Sequence, residues 1–170
     1  MTAKNFLRQI LSLILPITTI IVVPLVIESN FFITFDILSF IGIVFLLSGF
    51  ILLCITITMF IRIGRGTLAP WSPTSKLVVG GIYAHVRNPM ITGVMTILLG
   101  ESMIFHSLNI FIWLIVFFMI NNIYFVLSEE PGLVKRFGKD YLEYKKNVPR
   151  WIPRLNAWNT KEIKANERNS

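Results

Sequence analysis

The chain has 170 residues with a net charge of +7, 54% hydrophobic and only 15% charged residues, and a mean hydropathy of +0.69. That is enough chain for one domain, but the composition is too apolar for an ordinary soluble one. One cysteine, Cys54, excludes a disulfide framework and a cysteine metal cluster, and with only His85 and His106 besides, no zinc or other metal site is expected.

In chain order, Lys4 and Arg8 precede an apolar run over 10–27, about long enough to cross a bilayer. Positive charge before an apolar core is also the pattern of a signal peptide, but Glu28-Ser29-Asn30 offers no small-x-small cleavage site, so a retained helix is expected. Pro16 and Pro24 are expected to kink it. A short acidic loop leads into a second span over 37–61, where Gly42 and Gly49, seven apart, share a helix face and allow close packing. Residues 62–89 are polar and rich in Gly and Pro, so they read as loop. A third span over 90–105 and a fourth over 108–127 are joined only by His106-Ser107 or slightly more, which predicts a tight helical hairpin.

From Ser128 the chain is polar and basic. Leu133, Phe137, Tyr141, Tyr144 and Val148 recur every three or four residues, predicting an amphipathic helix that lies on the membrane surface, with Trp151 and Trp158 suited to the interface. The tail from Asn159 onward is expected to be mobile. Two Lys or Arg precede span one, four lie between spans two and three, ten follow span four, and the two remaining loops have none. With four spans, all the basic segments fall on one side, which the positive-inside rule makes cytoplasmic, termini included. The fold class is therefore all-α: four transmembrane helices and a C-terminal amphipathic interfacial helix in one domain. The basic charge reports topology, not nucleic acid.

Two stretches carry chemistry. In Gly80-Gly81-Ile82-Tyr83-Ala84-His85-Val86-Arg87-Asn88-Pro89, the proline suits the first turn of span three, whose free N–H groups can hold an anion. Arg87 can add a contact to that anion, and Tyr83 an aromatic face for a cation. The plain alternative makes Arg87 a topological anchor and Tyr83 an interface aromatic. At the end of span four, Asn122, Val126 and Glu129 share a face beside Asn121 and Phe125, and Glu129-Glu130 need compensation by Arg87, a lysine or a ligand. A salt bridge to the following helix is the structural alternative. Glu101 lies inside span three and should face the bundle interior, as a structural or a catalytic group.

The run Ser75-Lys76-Leu77-Val78-Val79-Gly80-Gly81-Ile82-Tyr83-Ala84-His85-Val86-Arg87-Asn88-Pro89 resembles the cofactor loop of isoprenylcysteine carboxyl methyltransferases and related phospholipid methyltransferases. Glu129-Glu130, Leu133, Phe137-Gly138, Tyr141-Leu142-Glu143-Tyr144-Lys145-Lys146 and Val148-Pro149 resemble the C-terminal signature of the same family. The resemblance covers about half the chain. It implies S-adenosylmethionine as methyl donor, with Ser75, Leu77, Val78, Tyr83, Asn88, Pro89, Ile91 and Glu129 as its binding residues, and a lipophilic or lipidated acceptor entering between helices. Catalysis would be mainly positioning, with Arg87 at the site and Glu130 or Glu101 as the base that an amine acceptor would need. Asn88 stands where the isoprenylcysteine enzymes have histidine, Met90-Ile91 lacks their tyrosine, and Phe125 occupies the place of their substrate-linked arginine. The resemblance thus implies the donor and leaves the acceptor open, with a phospholipid amine as the alternative to a carboxylate. A membrane scaffold without enzymatic activity would explain the helices but not the two motifs. Oligomeric state is not legible.

Overall fold

The computed structural model describes residues 14–64 and 76–159. The expected mobile tail beyond 159, the first residues of span one and Ser75 lie outside them. Among the described residues the fold is all-helical: α1 (Ile14–Ile27), α2 (Ile37–Gly64), a 3₁₀ turn at Gly81–Ala84, α3 (Pro89–Ile104), α4 (Leu108–Tyr124), a π-helical turn at Phe125–Glu129, and α5 (Glu130–Asn147). The helix through Ile37–Met59 and the one beginning at Leu108 are long and apolar enough to cross a membrane; α1 and α3 are apolar but shorter. At 1.5 Å per residue, α2 reaches about 42 Å and α3 about 24 Å.

Each helix boundary has a local cause. In α1 the chain widens into a π turn at Thr18–Val22, just ahead of Pro24, whose ring and missing N–H forbid a regular ladder there. Asp36 caps α2 by accepting from the Ser39 backbone N–H at 2.8 Å. α3 begins with Pro89 in its first turn, where the absent N–H costs nothing. Ser107 caps α4 by accepting from Ile110 N at 3.2 Å. The link from Ile104 to Leu108 is as short as expected, and His106 turns it with a φ of 49°.

The antiparallel pair α2 and α3 forms the centre. Gly42 meets Gly100 and Gly49 meets Gly93, so closely that a Cβ on Gly49 would stand 2.8 Å from the Gly93 oxygen. The expected close packing at Gly42 and Gly49 is thus present, with two glycines of α3 as partners. Leu53, Val94, Ile97, Leu98 and Ile110 form the core beside this seam, and Trp113 ties α4 to α1 by donating to the Thr19 carbonyl at 3.1 Å. The loops at that end of the bundle are fastened by His106 to Asp36 at 2.8 Å, and by Ser107 and Asn109 to Glu28.

A second core lies among α5, the 77–86 loop and Trp158. Tyr141, Tyr144, Val148 and Trp158 are buried together, with Leu77, Val79, Leu133, Val134 and Phe137 packed against them. The apolar stripe of α5 is as expected, but what covers it is the chain's own 77–86 loop and Trp158. Tyr buries readily in protein when its hydroxyl finds a partner, as those of Tyr144 and Tyr141 do here. Trp158, expected at an interface, is only 8% exposed. Gly138 leaves helical geometry, with φ 53° and ψ −126°, and kinks α5 so that it follows this core.

Candidate active site

The loop from Gly80 enters a 3₁₀ turn because Gly81 takes φ 59°, a conformation in which any side chain would be strained. The turn brings Tyr83 and Ala84 into the protein, 7% and 4% exposed. Three backbone bonds then bind the loop to the segment after α5: Arg87 N to Pro149 O at 2.9 Å, Arg154 N to His85 O at 3.0 Å, and Trp158 N to Ala84 O at 3.0 Å. The His85 ring nitrogen Nδ1 also bonds the Arg154 carbonyl at 2.8 Å, which is a structural employment for that histidine. The Tyr144 hydroxyl donates to the Tyr83 carbonyl at 2.7 Å in a buried setting. Tyr144→Phe orphans that carbonyl and is expected to cost about 1–3 kcal/mol, read as a lower melting temperature of the purified protein.

Glu130 sits where α4 passes through the π turn into α5. The helix does not stop at the two glutamates, so they escape the negative end of a helix dipole expected from the sequence. Glu130 is buried and held by three cations. Arg87 Nη1 donates to its Oε1 at 2.9 Å, Arg150 donates to the same oxygen from Nε at 3.0 Å and Nη2 at 2.6 Å, and Lys145 Nζ lies 2.6 Å from Oε2. The expected compensation by Arg87 and a lysine of the following helix is present. Arg87 also donates to the Tyr141 hydroxyl at 3.3 Å. It is therefore spent on Glu130 and Tyr141, and the contact from Arg87 to an anion at the start of α3 is replaced by this ion pair.

Glu129, one residue earlier, has the opposite environment. It is partly open, and no hydrogen bond or ion pair engages its carboxylate among the described residues. Burial pushes its carboxyl up to about 7; Arg136 opposes the rise and the neighbouring Glu130 adds to it. Burial raises the Tyr83 phenol and the charge of Glu129 adds to the rise; the two motifs meet directly in the Arg87–Glu130 contact at 2.9 Å. Asn88 and Ile91 are half-buried at the start of α3, Pro89 and Val78 are buried, and Leu77 packs into the second core. Asn88 makes no side-chain cap, leaving the first-turn N–H groups of α3 uncapped.

Glu101 is not part of this assembly. It lies twelve residues after Pro89 on α3, about 18 Å along the helix, and lines a separate cleft of about 350 Å³ with Ile20, Pro24, Leu25, Phe31 and Phe105. A larger cleft of about 650 Å³ runs along Val79–Ile82, His85 and Trp158, on the same loop but away from Glu129. No group of three metal-ligating side chains occurs among the described residues.

Lys145, Arg150 and Asn122 are site residues that the sequence reading left without a role. Asn122 accepts from Arg150 Nη1 at 3.0 Å and from Trp151 Nε1 at 3.3 Å, which satisfies one of the few polar groups on a mostly apolar helix. The available signal was the rule that a buried carboxylate needs cations, applied to the basic residues after α5 as well as to Arg87 and the lysines.

A family model for phospholipid methyltransferases matches residues 36–140, more than half the chain. The chain is also 38% identical over 80 residues to the Protein-S-isoprenylcysteine O-methyltransferase of Schizosaccharomyces pombe (strain 972 / ATCC 24843), a match covering 45% of this chain and 33% of that protein. The chain thus matches about a third of the length of that curated relative. The matched segment of the family model includes α2, the Tyr83–Pro89 loop, the α3–α4 hairpin and both glutamates. This chain belongs to the phospholipid methyltransferase family.

Proposed function

We propose that the chain is an integral membrane methyltransferase that takes its methyl group from S-adenosylmethionine and passes it to a lipophilic acceptor. The observation that carries this reading is Glu129: a carboxylate near the Tyr83 loop and near-neutral in proton affinity, with no hydrogen-bond donor among the described residues, in a chain of this family. A carboxylate placed so can accept hydrogen bonds from ribose hydroxyls or an ammonium group, and the uncapped first turn of α3 suits a carboxylate. The residues present therefore fit the donor. Bound there, S-adenosylmethionine supplies a methyl group made electrophilic by its sulfonium. The chain's part is to hold donor and acceptor in line and keep water away. Tyr83 and Leu77 shape the apolar wall from behind, and the remaining donor-binding residues are Val78, Asn88, Pro89 and Ile91, with Ser75 completing the set from the sequence motif. Glu130, saturated by cations, orders the site and does not act as a base.

In this reading α1 to α4 all cross the membrane, with the loop and α5 at the cytoplasmic face. The basic residues flank only that side, and the outer helix faces are apolar and exposed, with Val44 67% and Leu127 73% accessible. Two short spans are accommodated by local thinning of the bilayer.

Calorimetric titration of S-adenosylmethionine into detergent-purified protein tests the reading. Saturable binding is expected, weakened by about 10- to 100-fold in Glu129→Gln at unchanged melting temperature. Folded wild-type protein that binds no donor would favour a membrane scaffold. A pH series adds a second check. Glu129 must be ionised to hold the cationic donor, so affinity should rise about tenfold per unit up to pH 7 and level off above it. Glu129→Gln should lose this component of the pH dependence.

A further inference from the structure

We propose that the cleft between α1 and α3 is a binding site in its own right, apart from the one marked by Glu129, and that it takes a lipophilic amine whose ammonium group pairs with Glu101. The cleft holds about 350 Å³, and Glu101 is the charged side chain in its wall. The Oε2 atom of that carboxylate is buried with no hydrogen-bond partner. Buried carboxylates are ordinarily paired, because an unpaired one gives up its hydration for nothing. No lysine or arginine of this region can supply the pairing. Residues 9–61 and 88–134 contain neither, and they hold all of α1, α3 and α4 and the loops at this end of the bundle. His106 is turned to Asp36 at 2.8 Å, while Glu28 accepts from Ser107 and Asn109. Both other acids at this end thus have partners, and Glu101 is left to one from outside the chain.

The rest of the wall defines what carries the donor. Ile20, Ile21 and Leu25 of α1 line it with Phe31 and Phe105, whose rings meet edge to face at 4.9 Å between centres. The π turn at Thr18–Val22 sets both isoleucines in this wall, and such turns often accompany ligand sites. A metal ion does not fit. One carboxylate among hydrocarbon offers too few oxygens, and no group of three metal-ligating side chains occurs among the described residues. A phosphate headgroup finds no cation in this wall. A hydroxyl supplies the missing hydrogen bond but not the missing charge. An alkylammonium supplies both, lays its chain on the aliphatic side chains, and gains from the aromatic rings beside it. Ile21 and Leu25 are 49% and 60% exposed, so in the four-span reading the amine enters from the bilayer. The site itself depends on neither that topology nor methyl transfer.

The test measures radiolabelled dodecylamine on the full-length protein by scintillation proximity, in a neutral detergent at pH 7 and fixed detergent concentration. Saturable binding is expected, with unlabelled dodecanol competing at least about tenfold more weakly than unlabelled dodecylamine. Glu101→Gln should bring amine binding down to the level of the alcohol at unchanged or raised melting temperature, because the glutamate has no hydrogen bond at Oε2 to lose. Leu25→Trp, at an exposed position where bulk obstructs the mouth without disturbing the core, should weaken amine and alcohol alike. Amine and alcohol competing equally in the wild type, or amine binding undiminished in either variant, would overturn the proposal. Lysophosphatidylethanolamine carries the same ammonium on a phosphate and is expected not to displace the amine; displacement as strong as by dodecylamine would overturn the restriction to simple amines. The assay contains no S-adenosylmethionine, so its outcome stands whichever way the donor titration falls.

Discussion

Glu130→Gln is expected to destabilise the protein by about 3–5 kcal/mol, the cost of leaving buried cations without their counterion. The carboxylate is 8% exposed and takes bonds from Arg87, Arg150 and Lys145, so its neutral amide isostere removes the only charge that offsets them among the described residues. Thermal unfolding in detergent reads the effect. A loss under about 1 kcal/mol would mean that the cluster behaves like an exposed surface pair. Its acid dependence has a definite sign. Burial alone would raise the Glu130 carboxyl, but the bonds from Lys145 and Arg150 and the charges of Arg87 and Arg150 outweigh it and hold it below the ordinary 4.5. The stabilisation is therefore present in full above pH 4.5 and is lost as the pH falls through the lower folded value. Glu130→Gln should be insensitive in that window.

Gly100→Ala should cost about 1–3 kcal/mol through overpacking, although alanine is the better helix former. Its Cβ would stand 2.6 Å from both the Gly42 oxygen and the Leu46 nitrogen. These are backbone atoms, which can yield only if α2 and α3 move apart. A seam this tight is held by close packing, so lost contact along it is felt directly. Gly132→Ala on α5 is the control: nothing lies within 4 Å of its Cβ, and the change should be neutral or stabilising by about 1 kcal/mol. Melting temperatures of the two variants that fall together would show that the seam is looser than the distances state.

The parts of this fold that were legible in the sequence are those written in local pattern. Long apolar runs marked α1 to α4, Pro89 marked a helix start, and the spacing of Leu133 to Val148 marked one face of α5. Gly42 and Gly49 announced a close contact but not its other side. Gly93 and Gly100 repeat the same spacing of seven on α3, and matching the two intervals would have paired the helices. What local pattern does not contain is the partner across a long loop. Arg150 lies outside any helix, between Pro149 and Trp151, so no periodicity points it at Glu130 twenty residues earlier. For the same reason Trp158 read as an interface residue, because nothing in its neighbourhood announced the tyrosines that cover it. The candidate donor residues follow from motif order, and the geometry that brings the two motifs together is the Arg87–Glu130 contact at 2.9 Å.

The stitching of the Tyr83–Arg87 loop to the segment after α5 sets an order of events during synthesis. Sixty-one residues separate Tyr144 from Tyr83, and sixty-nine separate Arg154 from His85, with a whole helical hairpin between them. The loop can insert no earlier than that hairpin, and it finds its hydrogen-bond partners only once the chain through Trp158 has left the ribosome. Until then its backbone groups must be satisfied by water or by a chaperone. The candidate site of this chain is thus assembled late, and a nascent chain stalled before Trp158 would hold its helices without a finished site.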